Sequence, residues 1–365
     1  MAEAIGHELE WDSQIENDGA DRLHESVRPF NKKINETSAG EIIDIIRQAG
    51  IADYAKIQSA AGRVSTLIIN GAESDPFVTA AHRLMLEQPE LIINGSKILL
   101  KVLGLKKCVI ATEDNKLNAA GSLNAAAKKS KMTEIKILKA KYPQSGERQI
   151  IYALTGKEVA ADKQPADRGC VVVGAETAAA ICRVFTEGMP LIDRVVTVDG
   201  DCITAPKNLR VPIGTPISAL IEYCGLKKSP GRIIMGGAMT GISLIDINTP
   251  VVRDTSAILV FSYEKIRKNN RKTSDNDMRV CIRCGRCAES CPMYLQPLYL
   301  VMFAQYTNEN ENGNENIESF EEYGIASCTE CGCCQYICPS GVPVTEHIRT
   351  AKRQINERSD LIYDE

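Results

Sequence analysis

The chain has 365 residues, 44% hydrophobic and 25% charged, with a formal net charge of −4, so it offers no basic field for nucleic acid. Its longest apolar stretches, such as Ala257–Phe261, are far short of the ~20 residues of a spanning helix. No basic start followed by an apolar core marks a signal peptide, so a cytoplasmic protein without a transmembrane segment is expected.

Residues 1–37 are rich in carboxylates (Glu3, Glu8, Glu10, Asp12) and lack a hydrophobic period, which reads as an acidic arm, mobile or loosely docked. Ser38-Ala-Gly-Glu41 is a capping box opening a helix with Ile42, Ile45, Ile46 and Ala49 on one face and Gly50 at its end. From there β-branched runs at 66–69, 107–112, 134–138 and 170–173 alternate with helical segments at 78–87, 91–103, 118–129, 148–155 and 177–185. That alternation predicts a mainly parallel sheet covered by helices. Ligands of such sheets sit beyond the strand C-termini, where Asn70, Glu73 and Asp75 follow the first strand. These three could meet a ribityl chain, a ribose or a metal; the alternative is an Asx-rich turn.

After Pro190 the texture changes to strands at 194–198, 202–204 and 208–211, a tight Asp199-Gly200 turn, a helix at 216–223 and a glycine cluster at 231–241. This is the pattern of a small α+β module of β-grasp type. The glycine cluster lacks a P-loop lysine and dinucleotide spacing, and reads as a packing turn. A basic linker at 266–277 then leads to the first of two cysteine runs. Between the runs a helix after Pro297, an Asn/Glu-rich loop at 307–316 and a short helix with Ile317, Phe320 and Tyr323 are expected. A last helix starting near Pro343 carries Ile348, Ala351 and Ile355 on one face.

The runs are Cys281-Ile-Arg-Cys284-Gly-Arg-Cys287-Ala-Glu-Ser-Cys291-Pro292 and Cys328-Thr-Glu-Cys331-Gly-Cys333-Cys334-Gln-Tyr-Ile-Cys338-Pro339. Each spells C-x-x-C-x-x-C-x-x-x-C-P, the ligand run of bacterial two-cluster ferredoxins. Three thiolates on one tight turn hold three corners of a cubane, and the fourth corner faces away, so the partner run must supply it. One [4Fe-4S] cluster is thereby assigned to Cys281, Cys284, Cys287 and Cys338, the other to Cys328, Cys331, Cys334 and Cys291. Two structural zinc sites are the alternative, although zinc folds usually place a longer spacer between two C-x-x-C knuckles. Gly285, Gly332 and Gly341 would let backbone amides approach the sulfurs. Of the six remaining cysteines, Cys108, Cys170, Cys182, Cys202 and Cys224 read as small buried hydrophobes; Cys333, beside a ligand, is a candidate for a redox role. The four histidines form no cluster with carboxylates or a reactive thiol, and His82 reads as a helix-surface or packing residue.

Motifs along most of the chain, from Ser38 to Lys352, resemble the C subunit of the Rnf electron-transport complex and soluble relatives such as the proline-reductase-associated electron-transfer protein. They include Ile45–Ile51, Thr66-Leu-Ile-Ile-Asn-Gly-Ala-Glu-Ser-Asp-Pro76, Tyr142–Gln149, Met235-Gly-Gly-Ala-Met-Thr-Gly241 and both cysteine runs. The resemblance implies an α/β plus α+β architecture: a Rossmann-like domain over 38–189, related to the flavin/NADH domain of respiratory complex I, a β-grasp domain of SLBB type over 190–265, and a helical two-cluster ferredoxin domain over 266–358. It also implies that NADH reduces a bound FMN and the clusters carry electrons onward. Members place a glycine-rich loop of the kind G-G-A-G-F-P directly after the segment matching Gly50-Ile51. Here Ala52–Ala61 contains no glycine, and side chains there block the close backbone approach glycine permits. The family's Asn-Val before the Thr-Ala-Ala helix is replaced by Gly174-Ala175, and no segment matches the N-terminal barrel. Asn70, Glu73 and Asp75 stand at family flavin-loop positions, which keeps FMN as a cofactor to test.

The expected function is an iron–sulfur subunit that relays single electrons through two [4Fe-4S] clusters in an anaerobic oxidoreductase or Rnf-like complex. Its partners would be a flavoprotein, a ferredoxin or a terminal reductase, which could hold it peripherally at the inner face of the cell membrane. The alternative is an NADH:acceptor oxidoreductase with its own FMN; a third reading makes the β-grasp module a binding unit and the clusters structural.

Overall fold

The computed structural model describes residues 9–11, 34–128, 130–161, 163–265, 280–302 and 322–363. They form two compact units, the first made of Met1–Val159 and Lys163–Tyr263, the second of Glu264 onward with residues 160–162. The linker at 266–277, the Asn/Glu-rich loop and most of the helix expected near Ile317 lie outside the described residues.

In the first unit α1 (Ala39–Gln48) is opened by the expected capping box: Ser38 Oγ accepts from the Glu41 amide (3.3 Å), and the Glu41 carboxylate accepts from the Ser38 amide (2.9 Å). Its isoleucines are buried. The glycine-free segment that follows is not an open loop but a helix, α2 (Tyr54–Ala60), with Ile57 and Ala60 in the core. Alanine, lysine and glutamine favour helix, and Ile57 and Ala60 are three apart, on one face.

The chain then builds β2 (Thr66–Asn70), α3 (Ala80–Glu87), α4 (Pro89–Leu103), β3 (Cys108–Glu113), α5 (Leu117–Ala127), β4 (Thr133–Leu138), α6 (Glu147–Thr155), β5 (Cys170–Gly174) and α7 (Ala175–Glu187). The four strands pair in parallel in the order β4-β3-β2-β5. The chain winds outward from β2 to β4, then returns to the other side of β2 at β5. That reversal opens a crevice at the strand C-termini, where Asn70 is registered against Gly174.

A six-stranded sheet, in the order β1-β7-β6-β10-β8-β9, joins β1 (Leu9–Trp11), β6 (Asp193–Asp199), β7 (Lys207–Pro212), β8 (Arg232–Met235), β9 (Ile242–Leu244) and β10 (Ala257–Phe261). β6 and β7 form an antiparallel pair, β10 runs parallel to β6, and α8 (Ile217–Cys224) buries Ile217 and Leu220 in the sheet's core. Leu9–Trp11, inside the acidic arm, pairs in parallel with β7. The strand expected at 202–204 does not form. Residues 200–206 are the connection between β6 and β7, with one isolated bridge from Ile203 to Leu226. The amides there are drawn to other loops, Cys202 to the Val260 carbonyl and Thr204 to the Gly225 carbonyl. Gly200 is obligatory in this connection: its φ is +126°, and a Cβ would lie 2.1 Å from the Val260 carbonyl oxygen.

In the second unit each cysteine run makes a turn and then a short helix, α9 (Arg286–Glu289) and α10 (Cys333–Ile337). The runs repeat one backbone course. Arg283 and Glu330 have φ of 54° and 55°, and Gly285 and Gly332, at 77° and 76°, precede the two helices. Residues 297–302 are helical. They contribute Leu300 and Val301 to a core shared with Ile325, Val342, Val344, Ile348 and Ala351, the last three from α11 (Val344–Tyr363). Among the described residues no helix is long and apolar enough to cross a membrane.

Candidate functional site

The thiols of the second unit line two cavities. One is bounded by Cys281, Cys284 and Cys287 of the first run and by Cys338 of the second. The other is bounded by Cys328, Cys331 and Cys334 of the second run, by Cys291 of the first, and by Cys333. Geometry explains the exchange. The third cysteine of each run rides on a short helix, and the fourth follows that helix, one turn farther along, next to a proline.

Backbone amides meet sulfur in the same way in both turns. The Arg283 amide donates to Cys281 Sγ (3.3 Å) and the Glu330 amide to Cys328 Sγ (3.4 Å). Of the three glycines noted beside the runs, Gly285 and Gly332 have a left-handed backbone and start α9 and α10. Burial pushes up the Cys287 and Cys328 thiols. It pushes Cys334 up to about 12, helped by the neighbouring Cys328 and Cys331 thiols. Cys333 is raised to about 12 as well, by burial and then by Cys331. Among the described residues no three His, Cys, Asp or Glu side chains converge on a single-ion position. The cysteines of each set line a cavity, which suits a cubane with a ligand at each corner.

The second turn is braced from α11, an arrangement that the reading of the cysteine spacing missed. Glu330 binds Arg349 Nε (3.2 Å) and Lys352 Nζ (3.2 Å), and Lys352 also donates to the Cys328 carbonyl (2.6 Å). An acid in a C-x-x-C turn followed by two cations on a later helix is the signal that could have found it.

In the first unit the three residues expected at a flavin loop all reach the crevice, and each is engaged by the chain itself. Asn70 donates to the Ser145 carbonyl (2.9 Å) and accepts from the Ala72 amide (3.1 Å). The Glu73 carboxylate takes the amides of Ala81 (2.8 Å) and His82 (3.2 Å), so it occupies the N-terminus of α3. Asp75 accepts from the Met239 amide (3.1 Å) and the Thr240 hydroxyl (2.6 Å). It packs so tightly that a Cβ on Gly237 would lie 2.1 Å from its carboxyl carbon. The glycine cluster is thus a packing turn against the crevice loop. A buried pair, Lys116 Nζ to Glu113 Oε2 at 2.7 Å, closes the floor; Glu113 also accepts the Glu73 amide, and Lys116 donates to the Glu73 carbonyl. His82 is buried, its Nε2 2.9 Å from Asn118 Oδ1, and burial lowers its pKa.

Glu73 is pushed up to about 7, chiefly by burial, against the pull of Lys116 and the α3 amides. A carboxyl raised above its ordinary value of 4.5 supports the fold fully below pH 4.5, and that support is lost as pH rises through about 7. The first unit of the full chain is therefore expected to lose about 2 kcal/mol more than the Glu73→Gln protein across that window. Melting curves of the two proteins from pH 4 to 8 check this, and parallel curves would refute it.

Residues 46–183 match the Nuo51 FMN-binding domain family, 195–243 the SLBB domain and 277–342 the 4Fe-4S dicluster domain. Over 301 residues, 80% of this chain, it is 35% identical to the C subunit of the Na(+)-translocating ferredoxin:NAD(+) oxidoreductase complex of Acetobacterium woodii, spanning 66% of that protein. The C subunit of the proton-translocating ferredoxin:NAD(+) oxidoreductase complex of Clostridium ljungdahlii is 37% identical over 80% of this chain and 64% of its own length. Its counterpart in the ion-translocating oxidoreductase complex of Vibrio cholerae is 39% identical over 72% of this chain and 34% of its own. The chain thus spans about two thirds of the first two relatives and a third of the third. A crystal structure of NAD+-reducing [NiFe]-hydrogenase shares the fold, with a TM-score of 0.58 at 14% identity over 92% of this chain and 64% of that one.

Fold and cavities together define a dicluster iron–sulfur protein built on a parallel α/β sheet, carrying two [4Fe-4S] clusters. The chain belongs to the family of C subunits of Rnf-type ion-translocating oxidoreductase complexes.

The donor sets fit the two groups differently. Four thiols around the first cavity and five around the second, with an amide already directed at sulfur in each turn, suit a cubane. For FMN the fit is poor: Asn70, Glu73 and Asp75 bind within the chain, and the segment after Gly50-Ile51, where the resemblance implies a glycine-rich loop, holds α2.

Proposed function

We propose that this chain relays single electrons through two [4Fe-4S] clusters as a subunit of an Rnf-like oxidoreductase complex, with electrons supplied by a partner protein. The carrying observation is the crossed lining of the two cavities: each takes most of its cysteines from one run and one, Cys338 or Cys291, from the other. Cys281, Cys284, Cys287 and Cys338 would hold one cluster; Cys328, Cys331, Cys334 and Cys291 would hold the other. A cubane supplies one-electron chemistry and no proton transfer of its own. The chain's part is to fix the sulfurs, to direct the Arg283 and Glu330 amides onto them, and to exclude water with Leu300, Val342 and Ile348. Partners in the complex would hold the chain at a membrane surface. The boundaries 38–189, 190–265 and 266–358 remain our proposal for its domains.

Anaerobically purified protein is expected to contain about eight iron and about eight acid-labile sulfides per chain, and no flavin released on denaturation. Zinc without sulfide would overturn the cluster reading. The match to an FMN-binding domain family favours one other reading, an NADH oxidoreductase with its own FMN. Stoichiometric FMN together with NADH-dependent bleaching of the cluster absorbance would establish that reading in its place.

A further inference from the structure

The two cavities repeat one backbone course but differ at their mouths. Cys281 and Cys284 are exposed, whereas every thiol of the second cavity is only partly so. Between them Ile282 is 66% exposed, and Val280, just before, 64%. Arg283 and Arg286 are exposed on the same turn. Among the described residues neither forms an ion pair, while Glu330, which repeats Arg283 in the second turn, is held by Arg349 and Lys352. Glu289 is the sole carboxylate from Val280 to Cys291. In sequence the contrast extends upstream. Arg267, Lys268, Arg271, Lys272 and Arg279 precede the first run, against Asp275 and Asp277. Glu309, Glu311, Glu315, Glu318, Glu321 and Glu322 precede the second, and no Lys or Arg occurs from Phe303 to Glu330.

Tunnelling of an electron falls steeply with distance, so a carrier must land where a centre nears the surface. Exposed apolar residues ringed by unpaired cations form such a landing place, and opposite charge on the carrier steers encounter and orientation. The sequence before the second run offers such a carrier no cation. Building on the relay reading, we propose that the mouth of the first cavity, with Ile282 and Arg283 of its lining and the neighbouring exposed Val280 and Arg286, is a docking surface for an acidic protein carrying a one-electron centre.

The test uses the anaerobic full-length holoprotein and an acidic [2Fe-2S] ferredoxin as probe, with binding measured by calorimetry at low and at moderate salt. Binding is expected at low salt, weakened about tenfold by added salt and about tenfold by Arg283→Glu with Arg286→Glu. The same reversal on the first unit, Lys106→Glu with Lys131→Glu, should leave the affinity within about twofold. Absence of binding, indifference to the arginine reversal, or equal loss in the lysine control would overturn the proposal. So would an arginine variant that changes a monomer–dimer equilibrium, since a second copy would then cover this mouth. Iron content and bleaching by dithionite are read on the same samples. Intact, reducible clusters with no charge-dependent binding sink the docking surface alone, whereas clusters that show no reversible reduction sink the relay.

Discussion

Replacing Cys338 by alanine is expected to remove the cluster of the first run and to leave that of its own run in place. Cys338 lines the cavity of Cys281, Cys284 and Cys287 because α10 ends just before it and carries the chain across to the other turn. Three thiols leave one corner of a cubane without a ligand, so iron should fall from about eight to about four per chain. Double variants make the assignment decisive, because residues acting on one centre are not additive. Cys281→Ala with Cys338→Ala should lose no more iron than either change alone, whereas Cys328→Ala with Cys338→Ala should lose nearly all of it. If the redundant pair proves to be Cys328 and Cys338, each cluster belongs to a single run and the crossed ligation is wrong.

Gly95→Val is expected to cost the first unit about 3 kcal/mol or more. Gly95 sits where α4 crosses α7, and a Cβ there would lie 1.8 Å from the Ala178 carbonyl oxygen and 2.6 Å from its carbon. Both are backbone atoms, so no side chain can rotate away and the helices must part. For a unit of this size the melting midpoint should drop by roughly 6–12 °C. Iron content should stay at the wild-type level, because the cysteine cavities lie in the other unit. A variant that melts within about a degree of wild type would show that the two helices have room to spare.

What could be read from the sequence was local or strictly spaced. The capping box at Ser38 and Glu41, the four parallel strands and the cysteine runs each follow from residues a few positions apart. Other features depend on neighbours distant in sequence. The segment at 202–204 has the residue types of a strand, yet its amides go to Val260 and Gly225, which no local pattern announces. Leu9–Trp11 pairs with residues 208–210, in a stretch too acidic and irregular to suggest an edge strand. Glu113 and Lys116 look like any surface pair three residues apart, and only the surrounding fold makes them a buried one. The flavin-loop residues show the converse. Asn70, Glu73 and Asp75 were legible as a polar loop beyond a strand, but their present partners, Ser145, the α3 amides and the 237–240 turn, come from elsewhere in the chain.

Because each cavity takes walls from both runs, the order in which the chain emerges from the ribosome constrains its maturation. The first three thiols are made more than forty residues before Cys328, yet their cavity has no fourth wall until Cys338 has been synthesised. The second cavity is complete four residues earlier, at Cys334. A nascent chain halted anywhere in the intervening stretch therefore exposes thiols that no cavity encloses, and iron loading waits until Cys334 and Cys338 have been made.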